Sequence, residues 1–430
     1  MRVLMFGWEF PPHISGGLGT ASYGLTKGMA KLDDLDVLFV IPKAWGDEDQ
    51  NVVKLIGANK TPVAFKKIFF KGSRRPVEKI EVSSKIVPYT NPEDFWKIVG
   101  LEISENRTYI QTNSLGMVDF SGRYDCNLLE EIQKYAVVAS VIAEEYEFDI
   151  IHAHDWLAYP AGIAAMEVSG KPLVIHVHAT DFDRSGGNVN PEVYNIEKRG
   201  MDAASKIITV SNLTREIVIN KYNINPDKVE TVYNAVEPVH LSEDVILDKG
   251  FDEKVVTFLG RITLQKGPEY FIEAANKVLK SMSNVRFVMA GSGDMMDRMI
   301  RRAASLKITD RFHFTGFLKG RDVFTMLTMS DVYIMPSVSE PFGISPLEAM
   351  QSNVPVIISK QSGVAEILTH AVKTDFWDID AIADAIYGIL NYPALANMFI
   401  KNGKEEVIRL KWDNSARHVR DIYQRVIWQK

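Results

Sequence analysis

Cysteine is nearly absent from this sequence of 430 residues. The single cysteine, Cys126, has no partner for an intrachain disulfide bond, which is typical of proteins from a reducing compartment. Long apolar runs are also lacking: none approaches the roughly eighteen residues of a membrane span, and the apolar start is too short for a signal peptide. These absences predict a cytoplasmic protein without integral membrane contact.

Positive charge is scarce as well. The 49 lysine and arginine residues are outnumbered by 55 aspartate and glutamate residues, and the formal net charge is −6. No run of five or more basic residues occurs, which argues against nucleic acid or an anionic membrane as a partner. A small anionic ligand stays possible, because it needs only two or three cations. Apolar residues, by contrast, make up 46% of the chain, enough for two domains.

Short runs rich in valine and isoleucine alternate along the chain with segments of helical periodicity. The runs lack polar alternation, which predicts parallel strands buried on both faces. We therefore expect an α/β protein with two facing, Rossmann-like, doubly wound domains and a cleft between them. The predicted parts are an N-terminal domain over 1–238 with an insertion at about 57–122, a C-terminal domain over 252–410, and a helix over 412–430 that packs back on the N-terminal domain.

A glycine-rich segment that includes Gly16 and Gly17 follows the first predicted strand. Glycines let backbone amides approach a phosphate or a sugar closely, and the start of a helix attracts anions. The segment does not match the dinucleotide-binding pattern, because Ser22 stands where that pattern needs its last glycine. A tight turn without a ligand is the equal alternative.

Two segments with alternating histidines, 152–156 and 176–184, each end a predicted strand. Histidines with carboxylates close behind can bind a transition metal, and Asp181 and Asp183 form a D-x-D pattern suited to a divalent cation. Basic residues elsewhere can neutralise an anionic ligand without a metal. We therefore favour neutral histidines, one of each pair in the core and one at the cleft, and expect no metal site.

Two cations, Arg261 and Lys266, lie five residues apart on a predicted loop between a strand and a helix. The flat fork of an arginine and the point charge of a lysine together suit a diphosphate. Exposed cations are common on any surface, but their shared place on this type of loop favours an anion site.

The most specific pattern is a pair of glutamates, Glu340 and Glu348, with seven residues between them. Ser345 and the proline after it are typical of a helix start, so Glu348 could simply complete a capping box. That alternative leaves Glu340 unexplained. Amides of Gly343 and Ile344, just before the helix, are placed to meet an anion while Glu340 contacts a neutral polyol.

Together these motifs make the chain resemble the retaining glycosyltransferases of the GT-B fold, and among them the glycogen and starch synthases and glycosyltransferase family four. Glu340 and Glu348 resemble the E-x7-E signature of that family, and Arg261 and Lys266 resemble its diphosphate clamp. The glycine pair and the segment 152–156, His-Ala-His-Asp-Trp, are similar to segments of glycogen synthases.

The resemblance extends to single positions. His178 is similar to a histidine that approaches the donor sugar, and Arg184 to an arginine of the phosphate site in animal and fungal glycogen synthases. Bacterial synthases usually carry a lysine two residues before the glycine pair, where this chain has Ile14. The implied catalytic residues are Glu340, Arg261, Lys266, His178 and Asp155, and the implied donor-binding residues are Gly16, Gly17, Arg184, Gly291, Gly343, Ile344, Ser345 and Glu348.

The resemblance implies a retaining transfer of glucose from ADP- or UDP-glucose to a glucan acceptor, with no metal or other cofactor. The alternative is a family-four enzyme with another hexose donor and a cell-surface glycan as acceptor. A nucleotide-sugar epimerase would need no acceptor. A non-catalytic sensor of nucleotide sugars could lose some of the four charged residues at 261, 266, 340 and 348, and their joint presence argues against it.

Overall fold

The computed structural model describes residues 1–14, 16–49, 52–63, 112–113, 116–122, 124, 128–238 and 249–428. Most of the insertion predicted at about 57–122 lies outside these residues, as do residues 239–248 of the hinge that the sequence predicts at 234–252.

Seven parallel strands form the first sheet. They are β1 (Arg2–Phe6), β2 (Asp36–Ile41), β3 (Lys54–Gly57), β4 (Ile150–His154), β5 (Leu173–Val177), β6 (Lys206–Thr209) and β7 (Val229–Thr231). Their spatial order is β3-β2-β1-β4-β5-β6-β7, so the chain reverses its direction of travel beside β1. Ligands of doubly wound sheets bind at such a switch point, beyond the carboxyl ends of the strands.

Helices cover both faces of this sheet. They are α1 (Gly17–Met29), α2 (Leu128–Glu145), α3 (Asp155–Ser169), α4 (Asp181–Ser185), α5 (Pro191–Ala203) and α6 (Asn212–Tyr222). The side chain of Ser211 caps α6 by accepting a hydrogen bond from the amide of Thr214. Asn190 caps α5, which has a proline in its first position. The strands are buried almost throughout, because each face of the sheet has its own apolar core.

Six parallel strands form the second sheet, in the second half of the chain. They are β8 (Lys254–Leu259), β9 (Val285–Ala290), β10 (Phe312–Gly316), β11 (Val332–Met335), β12 (Val356–Ser359) and β13 (Val372–Thr374). Their order is β10-β9-β8-β11-β12-β13. The helices are α7 (Pro268–Val278), α8 (Met296–Ser305), α9 (Arg321–Thr328), α10 (Ser345–Gln351), α11 (Ile379–Asn391) and α12 (Pro393–Val407).

The last helix, α13 (Trp412–Trp428), packs on the first sheet's side of the molecule, against α1. Glycines in α1 make this close packing possible: a Cβ atom on Gly24 would lie 2.3 Å from the indole of Trp412. Helix α13 thus connects the end of the described chain to its beginning. No helix in the described residues is both long and apolar enough to cross a membrane.

The two sheets confirm the predicted fold class of two doubly wound, parallel-sheet units. Two short strands, β3 and β13, were not predicted. The domain boundaries at 238, 252 and 410 stay predictions.

Candidate functional site

Lys266 and Glu340 lie together at the carboxyl ends of two neighbouring strands, β8 and β11. The Lys266 ammonium forms an ion pair with the buried Glu340 carboxylate, which also accepts a hydrogen bond of 3.2 Å from the Ser337 hydroxyl. The carbonyl of Gln265 accepts the amide of Val338 at 2.9 Å, so the loop of Lys266 is tied to the loop of Glu340. The structure therefore brings two of the predicted catalytic residues into direct contact.

Arg261 stands exposed on the same loop after β8. In the described part of the chain its guanidinium makes one hydrogen bond, of 3.4 Å, to Gln265. Gly291 shapes this loop from the end of β9: its φ is +142°, and a Cβ there would lie 1.8 Å from the carbonyl oxygen of Gly260. Only glycine fits such a position. Gly291 thus supports the backbone that carries Arg261, and this is the role that the structure gives it.

The side-chain carboxylate of Glu348 has no hydrogen-bond or ion-pair partner among the described residues. Helix α10 begins at Ser345, and its N-cap is Ile344, whose side chain cannot accept a hydrogen bond. The capping-box alternative for Glu348 is therefore wrong. Ser345 instead accepts a 2.8 Å hydrogen bond from the phenol of Tyr333. Burial raises the pKa of Glu348 to about 7, as expected for a carboxylate with no hydrogen-bond donor nearby.

Tyr333 is a buried residue of β11 that the sequence did not mark as part of the site. Burial raises the pKa of its phenol, and the charges of Glu340 and Glu348 raise it further. The two glutamates therefore lie near one phenol, which donates toward Ser345. A single tyrosine in an apolar strand carries no sequence signal that separates it from an ordinary core residue.

The loop before α10 presents backbone amides. Gly343 has a φ of +102°, the left-handed region that favours glycine. Within the part of the chain that the structure describes, the amides of Gly343 and Ile344 donate to no acceptor. Because α10 has only seven residues, these loop amides, rather than a helix dipole, are the groups that an anion would meet.

Asp155 organises the other side of the site. It is the first residue of α3, with a left-handed φ of +60°, an uncommon conformation for a residue with a side chain. Its buried carboxylate accepts the amides of His178 at 2.9 Å and Ala179 at 3.3 Å. Asp155 thereby ties the end of β4 to the end of β5 and fixes the position of His178. Burial raises the pKa of Asp155, against the charge of Arg184 and the two amides.

Four histidines, three in β4 and β5 and His178 directly after β5, form one stack. Ring centroids are 4.3 Å apart for His152 and His154, 4.4 Å for His176 and His178, and 5.3 Å for His154 and His176. A hydrogen bond of 2.9 Å joins His154 Nδ1 to His178 Nε2, and His152 hydrogen-bonds the hydroxyl of Tyr423 from α13. Burial lowers the pKa of His152 and of His178 to about 3, so the imidazoles are neutral.

This stack has the donor atoms of a metal site but not its geometry. Ring nitrogens of His152, His154 and His176 lie within 4.8 Å of one another. Their planes, however, differ by only 8° to 29°, so the lone pairs point side by side rather than at a common ion. The arrangement favours the neutral imidazoles that we expected over coordination of a metal. It differs from the expectation in one respect, because both members of the first pair are in the core.

Arg184 faces carboxylates of its own half of the chain. Its guanidinium donates to Glu197 at 2.5 Å and lies 3.9 Å from Asp155 and 3.8 Å from Asp181. None of these three carboxylates lies on the loop of Arg261. Glu197 was missed from the sequence, although it is an acidic residue on the buried face of α5. Burial raises the pKa of Glu197 to about 7, against the charge of Arg184.

The carboxylates of the D-x-D pattern, Asp181 and Asp183, also accept hydrogen bonds from groups of the protein. Asp183 accepts the amide and the hydroxyl of Thr180, both at 2.8 Å, and Asp181 accepts the amide of Asn190 at 2.6 Å. Asp183 further accepts a 2.6 Å hydrogen bond from the hydroxyl of Ser339, next to Glu340 in the second half of the chain. These bonds leave the pair arranged for contacts within the protein rather than for a cation.

The glycine pair at the start of α1 lies open. A Cβ atom on Gly16 or Gly17 would meet nothing within 4 Å, and no side chain caps the helix. Ile14, at the position of the missing lysine, packs over Gly19: a Cβ there would lie 2.8 Å from the Ile14 side chain. The space over the pair permits close approach of a ligand to the backbone, as the sequence suggested.

Comparison with known proteins agrees with this architecture. Residues 243–406 match the family described as "Glycosyl transferases group 1", and residues 120–240 match "Glycosyltransferase Family 4". An uncharacterised glycosyltransferase of Methanocaldococcus jannaschii is 28% identical over 99% of this chain and 98% of its own length. The glycogen synthase of Mycobacterium tuberculosis is 22% identical over 98% of this chain and 94% of its own.

Solved structures show the same fold. Sucrose-phosphate synthase from Thermosynechococcus elongatus superposes with a TM-score of 0.70 at 17% identity, covering all of both chains. The Anabaena protein HepE, in complex with UDP and glucose, gives a TM-score of 0.69 at 15% identity over 99% of each chain. Two facing parallel-sheet units with a cation–acid pair at the strand ends define an enzyme of the GT-B class. The chain belongs to the glycosyltransferases of this fold, of the group 1 and family four type.

Proposed function

We propose that the chain is a retaining glycosyltransferase that moves glucose from ADP- or UDP-glucose to a glucan acceptor, in the manner of glycogen and starch synthases. The observation that carries this proposal is the ion pair between Lys266 and Glu340 at the ends of adjacent strands, with Arg261 exposed on the same loop. It puts a cation for a diphosphate beside an acid for the hydroxyl groups of the attached sugar.

In the proposed complex the second half of the chain holds the donor. Arg261, Lys266 and the amides of Gly343 and Ile344 stabilise the negative charge that builds on the diphosphate as it leaves. Glu340 accepts hydrogen bonds from the hydroxyl groups of the sugar. The unpartnered carboxylate of Glu348 accepts them from the ribose, a role supported by its freedom from any cap.

The first half of the chain completes the sugar pocket. The carboxylate of Asp155 accepts the backbone amide of His178, and the neutral imidazole of His178 hydrogen-bonds the donor sugar. Gly16 and Gly17 allow the backbone at the start of α1 to approach the donor. Arg184 sets the charge of the pocket through Asp155 and contributes to the phosphate site only at longer range.

Two engaged carboxylates support retention of configuration. Glu340 is paired with Lys266, and Asp155 is held by two amides and lies 3.9 Å from Arg184, so neither is a free nucleophile or base. We propose that the acceptor hydroxyl attacks on the face from which the diphosphate departs, and that a diphosphate oxygen takes its proton. No metal or other cofactor is required, because the cations of the protein neutralise the leaving group.

The relatives support sugar transfer and differ in acceptor. Their names include glycogen synthase, sucrose-phosphate synthase and alpha-maltose-1-phosphate synthase. An Escherichia coli relative, 24% identical over 66% of this chain, is named for UDP-Gal and a diphosphoundecaprenol acceptor. A hexose other than glucose with a cell-surface glycan acceptor is therefore the second candidate. For either reaction the single cysteine supports a place in the cytoplasm.

The test is a matrix of donors and acceptors. ADP-, UDP- and GDP-glucose, with UDP-galactose and GDP-mannose, are incubated with glycogen and short maltooligosaccharides, and the anomeric configuration of the product is read by NMR. We expect an α-linked glucan from ADP- or UDP-glucose. A β-linked product would contradict retention, and transfer from another hexose alone would favour the second candidate. Release of a changed nucleotide sugar without acceptor would indicate an epimerase.

Two variants test the residue roles in the same assay. Lys266→Ala and Glu340→Ala should each lower the transfer rate by about 10² or more, since each removes a contact that stabilises the transition state. Lys401→Ala, which removes an exposed lysine of α12, is the matched control. Unfolding temperatures are recorded for all three, because each catalytic variant leaves one charge without its partner. Near-normal turnover in both catalytic variants would refute these roles.

A further inference from the structure

A hydrogen bond between Asp183 and Ser339 joins the two halves of the proposed sugar pocket. The Ser339 hydroxyl donates to Asp183 Oδ1 at 2.6 Å. Ser339 directly precedes Glu340, and Asp183 lies in α4, five residues after His178. The bond therefore connects the loop that carries the acid of one half to the segment that follows the histidine of the other.

Asp183 depends on this partner. It is 1% exposed, and its Oδ2 atom is already used by the amide and the hydroxyl of Thr180. Among the described residues, Ser339 is the one donor to Oδ1. A buried carboxylate oxygen without a donor is costly, so the contact between the two halves of the chain satisfies a group that would otherwise need water.

The loop of Ser339 is also bonded to the loop that carries Arg261 and Lys266. Val338, its neighbour, donates its amide to the carbonyl of Gln265, which precedes Lys266. Helix α4 packs on the same loop from the other side, where a Cβ on Gly186 would lie 3.4 Å from the side chain of Leu264. A shift of Ser339 away from Asp183 would therefore move both Glu340 and Lys266 relative to His178.

A second contact between the halves lies closer to the linker. The carboxylate of Glu366 accepts the amides of Asn212 at 2.9 Å and Leu213 at 2.7 Å, at the start of α6, and the phenol of Tyr233 at 2.8 Å. Tyr233 lies directly before the predicted hinge at 234–252. This contact joins the start of α6 to the second half of the chain through Glu366, without Asp183 or Ser339.

We propose that Asp183 and Ser339 are positioning residues whose hydrogen bond latches the cleft closed and sets Glu340 and Lys266 opposite His178. The catalytic consequence rests on the proposed function, but the latch itself does not. Neither residue touches the reacting atoms. Their effect is to hold the closed arrangement, in which water is excluded and the donor is presented to the acceptor rather than hydrolysed.

Hydrogen–deuterium exchange of the ligand-free chain tests the latch without any substrate. In Ser339→Ala, amide exchange in segments 180–186 and 337–343 should accelerate about tenfold, while segment 212–215, held by Glu366, stays unchanged. Ser339→Thr keeps a hydroxyl and should retain protection. Ser305→Ala, which removes a serine hydroxyl at the end of α8, is the control. Exchange within twofold of the parent chain in both cleft segments, or equal acceleration at 212–215, would overturn the latch.

Steady-state kinetics test the positioning role. The donor is whichever of UDP-, ADP- and GDP-glucose the parent chain uses. We expect kcat to fall about tenfold in Ser339→Ala, the donor KM to stay within threefold, and the ratio of transfer to hydrolysis to drop. In an Asp183→Ala background, Ser339→Ala should have no further effect. An unchanged kcat and transfer ratio in Ser339→Ala, or additive losses, would overturn positioning. If the parent chain transfers from none of these donors, the proposed function fails, and the exchange experiment still decides the latch.

Discussion

Glu348 illustrates how a single residue can be misplaced by a reasonable sequence rule. Serine, proline and glutamate at this spacing are typical of a helix capped by the serine, yet the helix begins one residue earlier than that pattern predicts, at Ser345, with Ile344 as its N-cap. The hydroxyl of Ser345 instead accepts a hydrogen bond from the phenol of Tyr333 in the preceding strand, β11. A tertiary contact thus competes with the local cap and leaves the glutamate free, and no local pattern can register such a contact.

The raised pKa of Glu348 predicts a pH dependence of donor binding. Ribose hydroxyl groups donate to the ionised carboxylate, so the donor binds better above the pKa of about 7 than below it. We expect the donor KM to rise about tenfold between pH 8 and pH 6. In Glu348→Gln this dependence should vanish, with weaker binding at pH 8. Glu405→Gln, on the exposed side of α12, should keep the profile of the parent chain.

Stability gives a second readout for the same residue. The pKa of Glu348 in the folded chain lies above the ordinary value of 4.5, so ionisation of Glu348 opposes folding. The resulting loss of stability is fully present above about pH 7. Ligand-free Glu348→Gln should therefore unfold at a higher temperature than the parent chain at pH 8 and at a similar temperature near pH 4.5. A donor KM independent of pH in the parent chain, with no stabilisation of the variant at pH 8, would contradict this account.

The sequence predicted strands β4 and β5, but it did not predict how their histidines are placed. Alternate residues share a face only while the strand continues. Because β4 extends through His154, which pairs in register with His176, three imidazoles enter the core together. The expectation of one core histidine per strand assumed an earlier end of β4, and strand ends are the least predictable part of a sequence pattern.

Protonation of this stack should destabilise the fold. The folded pKa values lie well below the ordinary 6.5, so the unfolded chain binds more protons, and stability falls as the pH drops below about 6.5. We expect His176→Leu to reduce the slope of unfolding free energy against pH, between pH 6.5 and 5, by about 1 kcal/mol per pH unit. His418→Leu, an exposed histidine of α13, is the matched control, and urea denaturation is the measurement.

At pH 7 the same variant has a second expected outcome. Neither ring nitrogen of His176 has a hydrogen-bond partner in the described residues, so a leucine of similar volume removes two unsatisfied polar atoms from the core. His176→Leu should be at least as stable as the parent chain at pH 7. If His176→Leu keeps the full slope of unfolding free energy against pH, the histidine stack is not the source of the proton uptake on unfolding.

At the scale of the whole molecule, the sequence predicted those contacts that follow from the order of the strands alone. Lys266 and Glu340 each follow a strand, and β8 and β11 are neighbours, so their loops share one edge of the sheet. The pairing of Asp183 with Ser339, and of His152 with Tyr423, joins residues 156 and 271 positions apart. Such pairs depend on how the two sheets and the last helix pack, which no local pattern encodes.

The central claim is that Arg261 and Lys266 bind the diphosphate of a nucleotide sugar, and calorimetric titration with UDP, ADP and GDP tests it most directly. We predict measurable binding of at least one of the three nucleotides by the parent chain. The affinity should fall at least about tenfold in Arg261→Ala, because a charge-assisted contact is lost. Arg301→Ala, which removes an equal charge from the exposed side of α8, should bind within twofold of the parent chain. A parent chain that binds none of the three nucleotides, or an Arg261→Ala variant that binds as tightly as the parent chain, would contradict the account.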